Sequence, residues 1–121
     1  MPVPLPFRVS RAAEEHILAL LIHQLPAGFE AGLTLCFAYE SCSPAGELTE
    51  KFHGQHFCIA GDTPEQWVNA RSAVKGLIAD RAFWIPQETL RALRGKTLTV
   101  RPRDVGYGAH AGTVRDLLVA D

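Results

Sequence analysis

Two histidines and a cysteine lie close together in the segment His53-Gly-Gln-His56-Phe-Cys58. Imidazole and thiolate are protein donors that zinc and iron favour. If the segment is a β-strand, His56 and Cys58 share one face, because alternate residues point the same way. His53 then faces the opposite side unless the chain bends at Gly54. The segment therefore predicts two neighbouring ligands and a third that depends on a bend.

Two further residues extend the candidate metal site. A structural zinc ion takes four ligands, and Cys42 or His110 could supply the fourth. The full set of candidate ligands is Cys42, His53, His56, Cys58 and His110. The spacing matches no established zinc signature, and such residues are more often surface histidines beside one buried cysteine. Both interpretations stay open at the level of the sequence.

The same thiols raise the alternative of a cysteine-dependent enzyme. A free cysteine has a pKa of about 8.5 and needs a neighbouring histidine or helix N-terminus to act as a nucleophile at neutral pH. Cys42 is expected in a loop, and Cys58 precedes a helix expected to start at Pro64. No catalytic motif surrounds either cysteine. An enzyme is therefore the less favoured class, and no catalytic residue is assigned.

The chain has three cysteines and no C-x-x-C pair. An odd number without paired spacing is not typical of a secreted disulfide framework. Cys36 and Cys58 fall on expected strands, where a free cysteine usually acts as a small buried hydrophobic residue. We therefore predict that these two cysteines belong to the core.

Composition and charge indicate one ordinary globular domain. The 121 residues are 47% hydrophobic and 21% charged, and the net charge of −1 does not suggest a nucleic-acid partner. The longest apolar run, residues 17–22, is much shorter than the ~20 residues that cross a bilayer, so no membrane partner is expected. The N-terminus lacks the features of a signal peptide. The cytoplasm is the expected location.

Capping residues and apolar periodicity predict three helices. Ser10 can cap the first helix, which ends at Pro26. The sequence Thr63-Pro64-Glu65-Gln66 has the form of a capping box, and the apolar spacing around it predicts a helix through residues 67–78. A short third helix is expected over residues 87–94.

Alternating apolar and polar residues predict the strands. They are expected at residues 33–40, 48–60, 82–85 and 96–101, with a short helix or strand at 113–120. This order predicts an α+β fold, in which one mixed β-sheet packs against helices in a small single domain. Residues 1–9, with alternating prolines, are expected to form an extended N-terminal arm, and residues 10–121 the domain itself.

Two stretches of the sequence together resemble the sequence pattern of a known protein family. The first is Leu33-Thr-Leu-Cys-Phe-Ala-Tyr-Glu-Ser-Cys42-Ser43, in which cysteine and serine follow a leucine-x-leucine strand. The second, residues 82–100, has an apolar strand, a short helix started by proline, a leucine pair, a glycine and another strand. Together with the first helix, they resemble the HesB/IscA-like family, the A-type iron–sulfur carriers. The resemblance covers more than half of the chain.

The resemblance implies a HesB-like fold, an iron–sulfur cluster as cargo and a homodimer that shares the cluster between chains. Cys42 matches a cluster-binding position of the family. The family carries two further cysteines near its C-terminus, whereas this chain has none after Cys58. A cluster needs about four thiolates. The sequence therefore predicts a divergent, non-enzymatic member whose role with iron or a cluster is reduced or lost.

Two other functions remain open at this level. The first is a non-enzymatic domain on the same fold that binds a small molecule or a partner protein and no metal. The second is the cysteine-dependent enzyme, with Cys42 or Cys58 beside a histidine. The distances among the thiols and imidazoles separate these possibilities, because metal ligation brings donor atoms within about 4 Å of one another.

Overall fold

The computed structural model describes residues 2–21, 25–42, 49–104 and 114–121, and for residues 37–42, 49–54 and 104 it describes the backbone alone. Seven strands and three helices lie in this part of the chain. In order they are β1 (Arg8–Val9), α1 (Arg11–Leu20), β2 (Glu30–Cys42), β3 (Thr49–Asp62), α2 (Pro64–Asn69), β4 (Val74–Ile78), β5 (Arg81–Ile85), α3 (Gln87–Leu93), β6 (Thr97–Asp104) and β7 (Val114–Ala120). The strands form one sheet.

The order of strands in the sheet is β1-β6-β7-β3-β2-β5-β4. β1 pairs with β6 and β2 with β5 in parallel, whereas the four remaining neighbour pairs are antiparallel. The prediction of a small α+β domain with a mixed sheet and packed helices is confirmed. Residues 113–120 were expected to form either a short helix or a strand, and this segment contains strand β7.

One face of the sheet, which we call the core face, carries the main hydrophobic core. The strands contribute buried side chains to it that include Leu33, Phe57, Phe83, Ile85, Leu98 and Leu118, and α1 and α3 contribute Ile17 and Leu93. Burying a side chain of this size contributes roughly 1.5–3 kcal/mol. Because side chains alternate along a strand, the neighbours of these residues point to the opposite face.

The first two helices begin at the residues that the sequence indicates. The Ser10 hydroxyl accepts a hydrogen bond from the Ala13 N–H at 3.1 Å, and α1 starts at the next residue, Arg11. The Thr63 hydroxyl accepts from the Gln66 N–H at 3.2 Å. The Thr63 N–H donates to Asp62 Oδ1 at 2.8 Å. Asp62 thus satisfies the donor that a capping box assigns to the Gln66 side chain.

The prediction of a helix through residues 67–78 is wrong beyond Asn69. Residues Val74–Ile78 instead form β4, which pairs antiparallel with β5. Ala79 and Asp80 both have positive φ, 51° and 61°, which is the backbone of a tight two-residue hairpin turn. Such turns usually carry Asn-Gly or Asp-Gly, so this one left no signal in the sequence. Strand pairing prevails over the helical spacing of the apolar residues.

The N-terminal segment is extended and packs on the domain. The Val3 N–H donates to the Lys75 carbonyl oxygen in β4 at 2.8 Å. Arg8 and Val9 form β1 beside β6, and the Phe7 side chain belongs to the core. The segment therefore contacts strands at both ends of the sheet order. Within the described residues, no helix is long and apolar enough to cross a membrane.

Candidate functional site

A pair of cysteines lies on the face of the sheet opposite to the core face. In the β2–β3 ladder Cys36 is opposite His56, and Cys58 is opposite Thr34. The two cysteines are therefore diagonal neighbours on adjacent strands, and they form a disulfide with a Cα–Cα distance of 6.7 Å. Strand alternation places Thr34, Cys36, His56 and Cys58 together, and we call the surface around these four residues the thiol face.

The disulfide corrects the prediction that Cys36 and Cys58 are separate core residues. Both side chains are half-buried, and their sulfur atoms meet across 22 residues of sequence separation. Disulfide bonds join residues whose Cα atoms are roughly 4.4–6.8 Å apart, a range that includes this pair. The antiparallel register of β2 and β3 therefore brings the two sulfur atoms together, which the sequence spacing did not indicate.

Thr34 contacts both sulfur atoms. Its side chain is almost fully buried, with 6% of its surface exposed. The hydroxyl oxygen lies 3.1 Å from Cys58 Sγ and 3.7 Å from Cys36 Sγ, and the hydroxyl donates to the Cys58 carbonyl oxygen at 3.2 Å. A hydroxyl can rotate its single proton among these acceptors. Thr34 is therefore placed to stabilise a negative charge that develops on either sulfur.

His56 lies beside the cysteines with an unsatisfied ring nitrogen. Its side chain is half-buried, and the buried Nδ1 has no hydrogen-bond partner among the described residues. Burial, followed by the positive charge of Arg103, lowers the pKa of His56 from its ordinary value of 6.5. Both effects disfavour the imidazolium. At neutral pH His56 is accordingly a neutral ring with one nitrogen free to accept a proton.

Exposed arginines flank the thiol face on the side of β6 and β7. Leu118 faces the core, so Leu117 and Arg115 alternate onto the opposite face. Arg101 is opposite Leu117, and Arg103 is opposite Arg115 in the β6–β7 ladder. Arg101 is engaged in an ion pair with Asp121. The positive charge of Arg103 acts on His56, which lies on the thiol face.

The other side of the thiol face is closed by α2. Trp67 is fully buried, and its indole N–H donates to the Glu30 carbonyl oxygen at 2.9 Å. The ring covers Gly32, where an added Cβ would lie 2.6 Å from ring carbons. Glu30 also binds Lys75 Nζ at 3.1 Å and the Trp84 indole N–H at 3.3 Å. The side chains at this end of the thiol face are packed together, and their contacts stabilise the fold.

The structure brings together only some of the predicted metal ligands. His56 and Cys58 share the thiol face, but the cysteine adjacent to them is Cys36, which the sequence did not assign to the site. Cys42 is opposite Thr49 at the far end of the hairpin. It lies six residues beyond Cys36 along β2, which corresponds to about 20 Å at the rise of a strand.

The remaining predicted ligands lie partly or wholly outside the described residues. The β2–β3 register shifts between Phe37 and Tyr39, whose partners are Gln55 and Phe52. β3 thus has one extra residue where His53 and Gly54 are located, although the His53 side chain is outside the described part. His110 also lies outside it. In the described part of the chain, no group of three or more His, Cys, Asp or Glu side chains could hold a metal ion.

A pocket of about 420 Å³ lies between the end of α2 and the start of α3. Its lining includes Arg71, Ser72, Gln87, Glu88 and Arg91. Arg71 stacks on the Trp67 ring and forms an ion pair with Asp62 at 3.8 Å. The pocket contains no thiol or imidazole among its lining residues. The thiols of Cys36 and Cys58 and the imidazole of His56 lie instead on the thiol face.

Comparison of the chain with protein-family models, with curated proteins and with solved structures found no match. The resemblance to the A-type carriers therefore stays a prediction. What the site can do chemically follows from its own groups: a disulfide, a hydroxyl in contact with both sulfurs, a neutral imidazole and nearby guanidinium groups. Such a set fits thiol chemistry better than a cluster site, since the two described sulfurs are bonded to each other and a cluster needs about four thiolates.

Proposed function

We propose that this chain is a thiol–disulfide exchange domain in which Cys36 and Cys58 alternate between a dithiol and a disulfide. The observation that carries the proposal is the cross-strand disulfide on a half-exposed face, in contact with Thr34 and beside His56. Inert structural cysteines are usually buried in apolar surroundings, whereas reactive ones lie in partly exposed, electropositive surroundings. The Cys36–Cys58 pair meets the second description.

Reduction of the disulfide is a two-electron exchange with a thiol partner. The partner's thiolate attacks one sulfur of the Cys36–Cys58 bond, which forms a mixed disulfide and releases the other cysteine as a thiolate. A second thiolate from the partner then attacks the partner's own sulfur in the mixed disulfide and releases the second cysteine. The chain ends as a dithiol, and the partner ends as a disulfide. Oxidation runs through the same steps in reverse.

The surrounding groups support these steps. The Thr34 hydroxyl is within reach of both sulfurs and can donate to the leaving thiolate. The neutral His56 can accept the proton that a thiol loses before it attacks. The positive charge of Arg103, which already acts on His56, favours the thiolate over the thiol. Thr34 and Arg103 thus stabilise the thiolate that exchange creates, and His56 takes up the proton.

A redox titration tests the proposal. Protein with Cys42→Ser, which removes the third thiol, is equilibrated with defined ratios of reduced and oxidised dithiothreitol or glutathione. Free thiols are then alkylated and counted by mass. We expect one reversible two-electron transition at a potential above about −300 mV, where labile disulfides lie. Cys36→Ser and Cys58→Ser variants serve as controls and should show no such transition. A pair that stays oxidised below about −300 mV is structural and contradicts exchange.

A divergent iron–sulfur carrier is the second candidate function. It is supported by the resemblance of two stretches to the HesB/IscA-like family, and the HesB-like form of this α+β fold is part of the same proposal. Cys36, Cys58 and His56 lie on one face, but they form no metal-holding group as arranged with the disulfide closed, so this candidate requires reduction and rearrangement of the two cysteines. A homodimer is proposed to share a cluster through Cys42. Anaerobic reconstitution of the reduced protein with iron and sulfide should then give brown protein with near-stoichiometric iron. A colourless, iron-free product removes this candidate.

A further inference from the structure

We infer that the two cysteines have different roles in exchange: Cys36 forms the mixed disulfide with the partner, and Cys58 leaves as the thiolate. This inference rests on the proposed exchange function and adds the order in which the two sulfurs react. It is carried by the contacts of Thr34, the position of His56 and the strands on either side of the cysteines.

The Thr34 hydroxyl lies closer to Cys58 than to Cys36. Its oxygen is 3.1 Å from Cys58 Sγ and 3.7 Å from Cys36 Sγ. The hydroxyl also donates to the carbonyl oxygen of Cys58 at 3.2 Å, which holds it beside this residue. When a disulfide breaks, the electron pair of the bond stays on the sulfur that leaves, and a hydrogen-bond donor stabilises the negative charge there. Thr34 therefore favours Cys58 as the leaving thiolate.

His56 lies closer to Cys36 than to Cys58 along the ladder. It is directly opposite Cys36, and directly opposed residues have Cβ atoms about 4.5–5.5 Å apart. Cys58 is two residues away on the same strand, which corresponds to about 7 Å. The buried Nδ1 of His56 has no hydrogen-bond partner among the described residues. The thiol of a reduced Cys36 is therefore placed to give its proton to this nitrogen.

Cys58 is flanked by strands on both sides. It lies in β3, whose neighbours in the sheet are β2 and β7. Phe57 is opposite Leu118, and this register places Leu117 beside Cys58 on the same face. The Leu117 side chain is half-buried. A partner that approaches Cys58 from the side of β7 therefore meets an apolar side chain.

Cys36 has no such neighbour on its outer side among the described strands. It lies in β2, and the residue pair between β2 and β5 is Gly32 with Trp84, four positions before Cys36. β5 ends at Ile85, so this strand does not extend alongside Cys36. The next element, α3, packs on the core face. Of the two sulfurs, that of Cys36 is therefore the one that a partner reaches without crossing a neighbouring strand.

These roles define the order of bond changes. In reduction, the partner's thiolate attacks Cys36 Sγ, the S–S bond breaks, and its electron pair leaves on Cys58 Sγ, which accepts a hydrogen bond from Thr34. The partner's second thiolate then attacks the partner's own sulfur and releases Cys36. In oxidation, Cys36 gives its proton to His56 and attacks the partner's disulfide. The Cys58 thiolate then attacks Cys36 Sγ and releases the reduced partner.

The experiment locates the first mixed disulfide, with glutathione as the probe. Oxidised Cys42→Ser protein is mixed with excess reduced glutathione, and the reaction is stopped after short times with N-ethylmaleimide, which blocks free thiols. Trypsin separates the cysteines, because Cys36 falls in residues 12–51 and Cys58 in residues 52–71. Mass spectrometry then gives the ratio of glutathione on the two peptides. We expect a ratio of at least about 5 in favour of Cys36, the effect of one hydrogen bond on the leaving sulfur.

The decisive variant for the leaving sulfur is Thr34→Val. Without the hydroxyl, the ratio should fall about fivefold. Thr34→Ser keeps a hydroxyl at this position and should retain the preference for Cys36, which separates the role of the hydroxyl from a general loss of packing. Thr99→Val is the matched control, because its hydroxyl bonds to Ser10 and is not among the contacts of either sulfur. Its ratio should stay at the parent value.

The role of His56 is tested by a pH profile in single-cysteine proteins. Cys42→Ser/Cys58→Ser leaves Cys36, whose reaction with 4,4′-dithiodipyridine is followed by absorbance. Adding His56→Gln should slow this reaction about tenfold near pH 7 and have little effect near pH 9.5, where a thiol ionises without a base. The reaction of Cys58 in Cys36→Ser/Cys42→Ser should change little. His16→Gln, on α1, is the matched control and should leave both rates unchanged.

Each outcome bears on one of the two proposals. Glutathione that is distributed evenly, or that is found mainly on Cys58, overturns the assignment of roles and leaves the exchange function standing. A ratio that falls equally in Thr34→Val and Thr99→Val, or a His56→Gln effect of equal size on both cysteines, has the same meaning. Failure of the oxidised parent protein to form a mixed disulfide with glutathione overturns the exchange function, and the inference with it.

Discussion

His56 lies directly opposite Cys36 in the β2–β3 ladder, and its buried Nδ1 has no hydrogen-bond partner among the described residues. A disulfide sulfur has no proton to donate, so the bonded pair leaves this nitrogen unsatisfied. Reduction gives Cys36 an S–H group, and directly opposed side chains have Cβ atoms about 4.5–5.5 Å apart. The reduced state therefore supplies a donor that the oxidised state lacks. The redox state of Cys36 and the protonation of His56 are expected to be coupled.

The first prediction concerns the pH dependence of stability. The pKa of His56 is lowered in the folded state, so below about pH 6.5 the unfolded chain binds more protons at this residue than the folded chain. Its contribution is present above that pH and is lost as the pH falls toward the folded-state pKa. The urea midpoint should therefore fall more steeply between about pH 7.5 and about pH 5 in the parent protein than in His56→Gln. Equal slopes would contradict the assignment.

The second prediction concerns the stability that the disulfide provides. The bond closes a loop between residues separated by 22 positions. Restricting the unfolded chain to this extent stabilises the fold by about 3 kcal/mol. Reduction with a phosphine should lower the free energy of unfolding by about that amount in urea titrations. The Cys36→Ser/Cys58→Ser variant should match the reduced protein and be insensitive to the phosphine. A parent protein equally insensitive would show that the bond does not constrain the chain.

The third prediction concerns Thr34. Thr34→Val keeps the shape of the side chain and removes the hydroxyl that contacts both sulfurs. A hydrogen bond of this kind contributes about 1 kcal/mol, which corresponds to about a fivefold change in the thiolate fraction. Alkylation of Cys58 by iodoacetamide, measured near neutral pH in the Cys36→Ser/Cys42→Ser background, should slow by about that factor.

The matched control for Thr34 is Thr99→Val in the same background. Thr99 also lies in a strand of the sheet, but its hydroxyl accepts from the Ser10 hydroxyl at 3.2 Å and is not among the contacts of either sulfur. Its removal should leave the alkylation rate of Cys58 unchanged. Similar slowing in both variants would indicate a general loss of packing and remove the specific role of Thr34.

The fourth prediction concerns the contact between Gly32 and Trp67. A Cβ at Gly32 would lie 2.6 Å from ring carbons of the fully buried Trp67 and 2.8 Å from the Trp84 carbonyl oxygen. Neither the ring nor the backbone can move cheaply, so Gly32→Ala should destabilise the protein by about 1–3 kcal/mol. Gly61→Ala is the control, because its Cβ meets the end of the flexible Leu25 side chain. Thermal unfolding should separate the two variants clearly, and equal melting temperatures would contradict the contact.

Local signals in the sequence predicted much of the fold correctly. Ser10 and Thr63 cap their helices as expected, because capping depends on residues three positions apart. The helix prediction at residues 67–78 was wrong because the structure of that segment is decided by a tertiary interaction and not by local residues. The spacing of Val74 and Ile78 fits a helix as well as a strand, and the choice is made by pairing with β5 through the turn at Ala79. That pairing is a tertiary interaction without a local signature.

The candidate site was harder to predict because it depends on strand register. His56 and Cys58 were identified as neighbours from alternation alone, and this relationship holds. Cys36 was assigned to the core, since nothing in a separation of 22 residues indicates that it meets Cys58. A shift of one residue between β2 and β3 would put Cys36 on the other face, away from Cys58. Register is set by the whole hairpin and its bulge.

The N-terminal segment has a further consequence for the shape of the sheet. Val3 is hydrogen-bonded to β4, and Arg8 in β1 pairs with Thr97 in β6, although β4 and β6 stand five spacings apart, about 24 Å in a flat sheet. Five residues of extended chain reach at most about 17 Å. The sheet must therefore curl until its two borders approach each other, and residues 3–8 connect the two borders. The Lys75 carbonyl oxygen in the border strand β4 accepts its hydrogen bond from Val3 of the same chain, so this group is not open to a strand from another molecule.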